Sequence, residues 1–257
     1  MKALILSTAL ILGVLSTQAA IQTKTIEYQH EGTTLEGVLV WDDAKTGIRP
    51  GVLIVHQWLG LTDYEIGRAK QLAGLGCVAF CADIYGKGIR PTNTDEAGKL
   101  AGKYKGDRQL LRGRAVAALN VLKQSDLVDT KNVAAIGYCF GGTTVLELAR
   151  TGAELNGVVS FHGGLDSPTP ADGKNIKCKV LVLAGANDPF QKADDLDAFE
   201  KEMRDSKVDW SITFYGNAVH SFTQPNPGFV NAGAQYNEKA DKRSWQAMRD
   251  FFGEIFK

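Results

Sequence analysis

Three residues distant in the chain carry side chains that can act together as a nucleophilic unit: Cys139, Asp188 and His220. Cys139 stands in Gly137-Tyr138-Cys139-Phe140-Gly141-Gly142, where a thiol tops a turn between an apolar run and a helix-like pattern. A side chain raised on a sharp strand-to-helix turn needs neighbours without bulk, because the backbone is strained there and strand and helix crowd together. The start of the following helix adds partial positive charge, which favours a thiolate and a developing oxyanion. A base must then take the thiol proton, and an acid must fix the base's tautomer and stabilise its charged form. Asp188 ends "VLVLAGAND" and His220 ends "FYGNAVH", giving the order nucleophile, acid, base with one helix-strand unit between the last two. The chemistry of such a set is attack of sulfur on a carbonyl carbon.

Rivals exist for two of the roles. The chain has four histidines, and His56 and His162 also fall at the ends of apolar runs, so either competes with His220 as base. His30 falls in an N-terminal hairpin pattern and is expected in solvent. Asp166, in "GGLD" just after His162, competes with Asp188 as acid. An oxyanion needs two donors. One is expected from the backbone N–H of Phe140, the other from the loop after "PGVLIVHQ", at Trp58 or Gln57.

The elements that must position these residues can be read from periodicity. "TIEYQHEG" and "TTLEGVLVW" alternate like a hairpin of exposed strands. "PGVLIVHQ", "CVAFCADIYG", "NVAAIGYC", "GVVSFHGG", "CKVLVLAGAND" and "WSITFYGNAVH" read as strands, the first a β-branched run of the kind buried on both faces. Between them lie amphipathic stretches: "TDYEIGRAKQLAGLG", one or two helices in "DEAGKLAGKYKGDRQLLRGRAVAALNVLKQ", "GGTTVLELART" and "ADDLDAFEKEMRDS", with a last helix from about Ala234 to Phe256. Such alternation predicts a mostly parallel sheet covered by helices on both faces, as one domain from Ala20 to Lys257. Ligands of open parallel sheets sit at the carboxyl ends of the strands, where Cys139, Asp188, His220 and the rivals His56 and His162 fall.

Composition narrows the function classes. Lys plus Arg and Asp plus Glu number 29 each in 257 residues, which gives no electrostatic reason to expect nucleic acid or an anionic membrane as partner. The first residues, "MKALILSTALILGVLSTQAA", join one Lys to an apolar run from Ala3 to Leu15 and then small residues. This is the pattern of an export signal, with cleavage expected after Ala19. The run is short of the roughly 20 residues of a membrane span. The mature chain is therefore expected in the periplasm or outside the cell, with no stable membrane association after cleavage. Cys77, Cys81 and Cys178 are expected as small core residues. Cys77 and Cys81, four apart on a strand, are about 13 Å from each other and cannot bridge. No C-x-x-C pair supports a thiol-redox protein.

The motifs "VLIVHQWLG", "CADIYG", "GYCFGG", "AGANDPF" and "VHSF", in that order over nearly all the mature chain, resemble the dienelactone hydrolase family of the α/β-hydrolase superfamily. The resemblance implies an α/β-hydrolase fold and a carboxylic ester hydrolase related to carboxymethylenebutenolidases. It implies a Cys139-His220-Asp188 triad, oxyanion donors at the Phe140 and Trp58 backbones, a small ester or lactone substrate, and no metal or organic cofactor. It also implies substrate-pocket roles for Gln57, Tyr85 and Lys87. Two departures stand out. Gln57 replaces a Glu thought to keep the thiol protonated until substrate arrives, so the Cys139–His220 pair is expected partly ionised at rest. Lys87 and Gln224 stand where members carry arginines for a substrate carboxylate, and Arg90 is expected as a solvated loop residue. The other readings open to the sequence are a catalytically silent binding protein and a peptidase-like hydrolase on the same fold.

Overall fold

The computed structural model describes residues 20–226 and 233–257; the export segment read at residues 1–19 lies outside them. At the N-terminus β1 (Ile21–His30) and β2 (Thr33–Asp42) pair antiparallel, with Ile21 opposite Asp42 and His30 opposite Thr33. Glu31 and Gly32 close the hairpin with φ of 46° and 74°. Positive φ at both central residues gives a turn whose twist matches the strands it joins. His30 is half-buried rather than solvated, because it packs on Gly113, where an added Cβ would lie 2.3 Å from its Nε2.

Six further strands follow: β3 (Arg49–Val55), β4 (Val78–Ala82), β5 (Val128–Tyr138), β6 (Gly157–Phe161), β7 (Lys179–Gly185) and β8 (Trp210–Tyr215). The sheet order is β1-β2-β4-β3-β5-β6-β7-β8, and β3 to β8 run parallel. The chain steps from β3 to β4 on one side and then crosses to β5 on the other. Strand order therefore reverses at β3, which opens a crevice at the carboxyl ends of β3 and β5.

The β-branched run of β3 feeds two layers at once. Leu53 and Val55 join one core cluster, Val52 and Ile54 the other, and all four are fully buried. Each such side chain contributes about 1.5–3 kcal/mol when removed from water. On the first face lie α2 (Thr94–Gly106), α3 (Arg108–Lys123), α4 (Phe140–Arg150) and α5 (Ala193–Asp205). On the other lie α1 (Asp63–Gly74) and α6 (Glu238–Ile255). The long amphipathic stretch resolves into two helices because Asp107 ends α2 and its side chain caps α3 by accepting from Leu110 N.

Every residue of α4 is buried, including two charges. Glu147 accepts from Arg112 Nε at 2.7 Å and Arg150 Nη1 at 3.0 Å, and Arg150 grips Glu202 with two bonds of 2.8 and 2.7 Å. The final helix starts later than the pattern suggests. Ala234 bridges His220, Gln235 N–H donates to His220 O, and Asn237 N–H donates to Phe222 O, so this segment stays extended until Asn237 caps α6. Cys77, Cys81 and Cys178 are free and buried. No helix among the described residues is long and apolar enough to cross a membrane.

Candidate active site

Cys139 joins the end of β5 to the start of α4 with φ 55° and ψ −113°. Glycine makes this turn possible. A Cβ on Gly137 would lie 2.0 Å from Gly141 O, and one on Gly141 would lie 2.1 Å from Val55 O, so strand and helix approach closer than any side chain permits. The backbone of Cys139 is held from below. Its N–H donates to Phe161 O at 2.9 Å and to His162 Nδ1 at 3.1 Å.

The chain beyond β8 turns at Asn217 and brings His220 over the sulfur, with Nε2 3.0 Å from Cys139 Sγ. His220 Nδ1 lies 2.8 Å from Asp188 Oδ2, on the loop after β7. The other oxygen of Asp188 accepts from Phe190 N at 2.9 Å. Extended pairing with residues 233–235 fixes the backbone of His220, whose N–H donates to Gly233 O. Its ring sits edge-to-face with Phe190 at 5.2 Å and His162 at 5.1 Å.

These contacts set charge. Burial pushes the Cys139 thiol up, but the His220 imidazolium, the Phe140 N–H and Lys105 outweigh it and hold the thiol below its ordinary 9.0. Burial likewise opposes a charged His220, yet the Cys139 thiolate and Asp188 raise it to about 10. Both directions favour separation of charge between sulfur and ring, and Gln57 is not among their causes. The Gln57 side chain itself stays out of the cavity: it is buried, and its amide oxygen accepts from Leu59 N at 2.9 Å.

A cavity of about 480 Å³ opens above the sulfur, lined among others by Trp58, Phe140, His162, His220, Phe190 and Lys105. The rival histidines take other partners. His56 is fully buried, its Nδ1 2.6 Å from Gln57 O and its Nε2 accepting from Ile84 N, and burial lowers it to about 4. His162 lies beneath Cys139 with Nε2 2.8 Å from Thr223 Oγ1, and burial holds it well below 6.5. Asp166 lines the cavity but faces Arg108 and Lys105 rather than an imidazole.

With Gln57, the pocket expectations for Lys87 and Tyr85 need correction, as does the solvated place expected for Arg90. Lys87 does not reach the cavity, because Glu27 and Glu36 of the hairpin hold its ammonium. Tyr85 stands behind the wall, and its OH donates to Trp58 O at 3.0 Å. Arg90 is half-buried and donates to Leu61 O at 2.6 Å. Gln224 is buried outside the cavity lining.

Two functional candidates stand beyond those read from the sequence. Lys105, in the last turn of α2, is a lysine among several until the fold turns it toward the sulfur. Glu65, buried in α1, accepts from Gln57 N, Thr62 N and Thr62 Oγ1 and so ties down the loop that carries Trp58. Its signal was present: Thr62-x-x-Glu65 is a capping box. Among the described residues no three His, Cys, Asp or Glu side chains are grouped to hold a metal ion.

Comparison with known proteins matches residues 35–256 to the model of the dienelactone hydrolase family. The solved structure "m3DLH" is 42% identical, with a TM-score of 0.89 over 93% of this chain and all of that one. A dienelactone hydrolase-like promiscuous phosphotriesterase, P91, from metagenomic libraries is 41% identical, with a TM-score of 0.88 over the same shares. A Bradyrhizobium protein named "Probable 2-oxo-3-(5-oxofuran-2-ylidene)propanoate lactonase" is 27% identical over 215 residues, 79% of this chain and 86% of that protein.

Proposed function

The chain belongs to the dienelactone hydrolase family of carboxylic ester hydrolases, on an α/β-hydrolase fold, and we propose from that premise that it cleaves small esters or lactones through Cys139. The observation that carries this reading is the unbroken relay from sulfur to Nε2 at 3.0 Å and from Nδ1 to carboxylate at 2.8 Å. In the mechanism the Cys139 thiolate attacks the carbonyl carbon, and the carbonyl electron pair moves onto oxygen. The Phe140 and Trp58 N–H groups hold that oxyanion, each typically worth about 2.7–4 kcal/mol in the transition state. As the tetrahedral centre collapses, the His220 imidazolium gives its Nε2 proton to the leaving alkoxide. The neutral ring then takes a proton from water, whose hydroxide attacks the thioester and returns the thiolate. Asp188 fixes the ring's tautomer and stabilises its charged form throughout.

Turnover of p-nitrophenyl esters and of simple lactones by wild type, Cys139→Ser and Cys139→Ala tests this. Loss of turnover in Cys139→Ala is the expected result. Unchanged turnover in that variant would favour a catalytically silent scaffold with adventitious esterase activity, and cleavage of peptides would favour the peptidase-like reading. Identity of 41% to P91 supports a second substrate class, phosphotriesters, attacked by the same sulfur at phosphorus; paraoxon turnover tests it. We also propose, from residues 1–19 alone, that the enzyme works outside the cytoplasm. N-terminal sequencing of the protein from the exported fraction, with Ala20 as first residue, is the expected outcome.

A further inference from the structure

The peptide that joins Gln57 to Trp58 carries two groups: the Gln57 C=O and the Trp58 N–H. In a trans peptide these point in opposite directions. The Gln57 C=O faces the interior, where His56 Nδ1 approaches to 2.6 Å and Gly60 N–H donates at 3.2 Å. The tautomer of His56 is fixed by its other nitrogen. Nε2 accepts from Ile84 N–H at 3.1 Å, so the proton resides on Nδ1 and is donated to Gln57 O. The Trp58 N–H is thereby turned away from the interior, on a residue that lines the cavity beside Cys139. The same imidazole stacks on Phe140 at 5.7 Å, and Gly141 of α4 packs on the His56 carbonyl. One ring thus touches both segments that bear the oxyanion donors.

We propose that His56 is a positioning residue for the oxyanion hole: its Nδ1–H orients and polarises the 57–58 peptide so that the Trp58 N–H meets the developing negative oxygen. This rests on the reading of Trp58 as an oxyanion donor. The ring is suited to the task because burial keeps it neutral across the pH range in which the thiolate acts, leaving one donor and one acceptor in fixed places. The hydrogen bond to Gln57 O draws electron density toward that oxygen and makes the N–H at the far end of the amide a stronger donor. Tyr85 OH bonded to Trp58 O and Glu65 bonded to Gln57 N pin the peptide's neighbours, so the orientation is set from three sides.

The test compares two variants that differ in which ring nitrogen they mimic. His56→Asn can place an NH₂ donor where Nδ1 stood. His56→Gln reaches the place of Nε2 and leaves Gln57 O without that donor. The expected result is a fall in kcat of about 10²-fold in His56→Gln with KM little changed, the loss associated with one missing oxyanion donor. His56→Asn should stay within about tenfold of wild type. Affinity for an aryl trifluoromethyl ketone, whose hemithioketal carries the oxyanion, should fall in parallel with kcat in His56→Gln. Alkylation of Cys139 by iodoacetamide, a displacement at a tetrahedral carbon with no oxyanion, should keep its rate. A folded His56→Gln that keeps wild-type kcat overturns the inference, as does one that loses alkylation and turnover together. If His56→Gln does not fold, a folded His56→Asn whose kcat and ketone affinity fall as far as about 10² overturns it. Cys139→Ala is run alongside. Turnover that survives it removes the thiol mechanism and this inference with it, whereas turnover lost in Cys139→Ala and kept in His56→Gln removes only the role of His56.

Discussion

His220 and His162 stand 5.1 Å apart at the floor of one cavity, and their surroundings drive them to opposite charge states. Both are largely withdrawn from water, so desolvation opposes the imidazolium in each. Partners decide between them. His220 is flanked by a carboxylate and a thiolate, and rises to about 10. His162 accepts a backbone N–H on Nδ1 and meets a hydroxyl on Nε2, and the charged His220 beside it depresses it further. The rings are the same chemical group at nearly the same depth. On the proposed mechanism, the sign of the atoms on their two nitrogens suits one to proton transfer and the other to holding the backbone of Cys139.

The comparison breaks most completely if the sulfur is removed. Cys139→Ala is expected to cost about 10⁶-fold in ester kcat. It should also lower the pKa of His220, followed by ¹⁵N NMR of the ring, because the thiolate is the main group that raises it. A ring that stays near 10 without sulfur would mean that Asp188 alone sets the charge. Next is Asp188→Asn, with an expected loss of about 10⁴-fold. In wild type the alkaline limb of kcat/KM should fall near pH 10, as His220 loses the proton it gives to the leaving group, and the acid limb should mark protonation of the thiolate below 9.0. Asp188→Asn should bring the alkaline limb to lower pH, since the carboxylate favours the charged ring.

Thr223→Val sharpens the other side. The His162 Nε2–H then loses its acceptor, and a buried unsatisfied donor costs about 1–3 kcal/mol of stability, read by urea unfolding. Turnover should change far less than in Asp188→Asn. The smallest effect is expected from Lys105→Met. Lys105 is the weakest of the influences that lower the Cys139 thiol, so its loss should move the acid limb slightly toward alkaline pH. An unmoved limb would restrict the control of the sulfur to His220 and the Phe140 amide.

What the sequence disclosed follows the range of the forces involved. The order Cys139, Asp188, His220 was legible because parallel strands end on one edge and each residue falls just past an apolar run. The hairpin was legible from alternation, and α4 from the helical pattern "GGTTVLELART" after the turn. The pocket wall was not. Lys87 is held by Glu27 and Glu36, partners about 50 to 60 residues earlier in the chain, and no local pattern reveals that pairing. Asp166 reads as a rival acid until Arg108 and Lys105, brought over by α2 and α3, occupy it. The first residues of the last helical pattern are extended because His220 itself offers them backbone partners. Local periodicity predicts elements; it does not see the ion pairs and bridges that fix how loops lie over them.

The burial of the remaining cysteines gives the enzyme an internal counting tag. Their thiols are pushed up, to about 11 for Cys77 and about 12 for Cys178, and well above 9.0 for Cys81, by the apolar interior around them. A maleimide or a disulfide dye thus meets three thiols that burial makes harder to ionise and one, Cys139, that His220 and the Phe140 N–H make easier to ionise. On the proposed mechanism, the stoichiometry of fast labelling reports the fraction of molecules with an intact nucleophile, and the same site offers oriented attachment to a surface or fluorophore once catalysis is no longer needed.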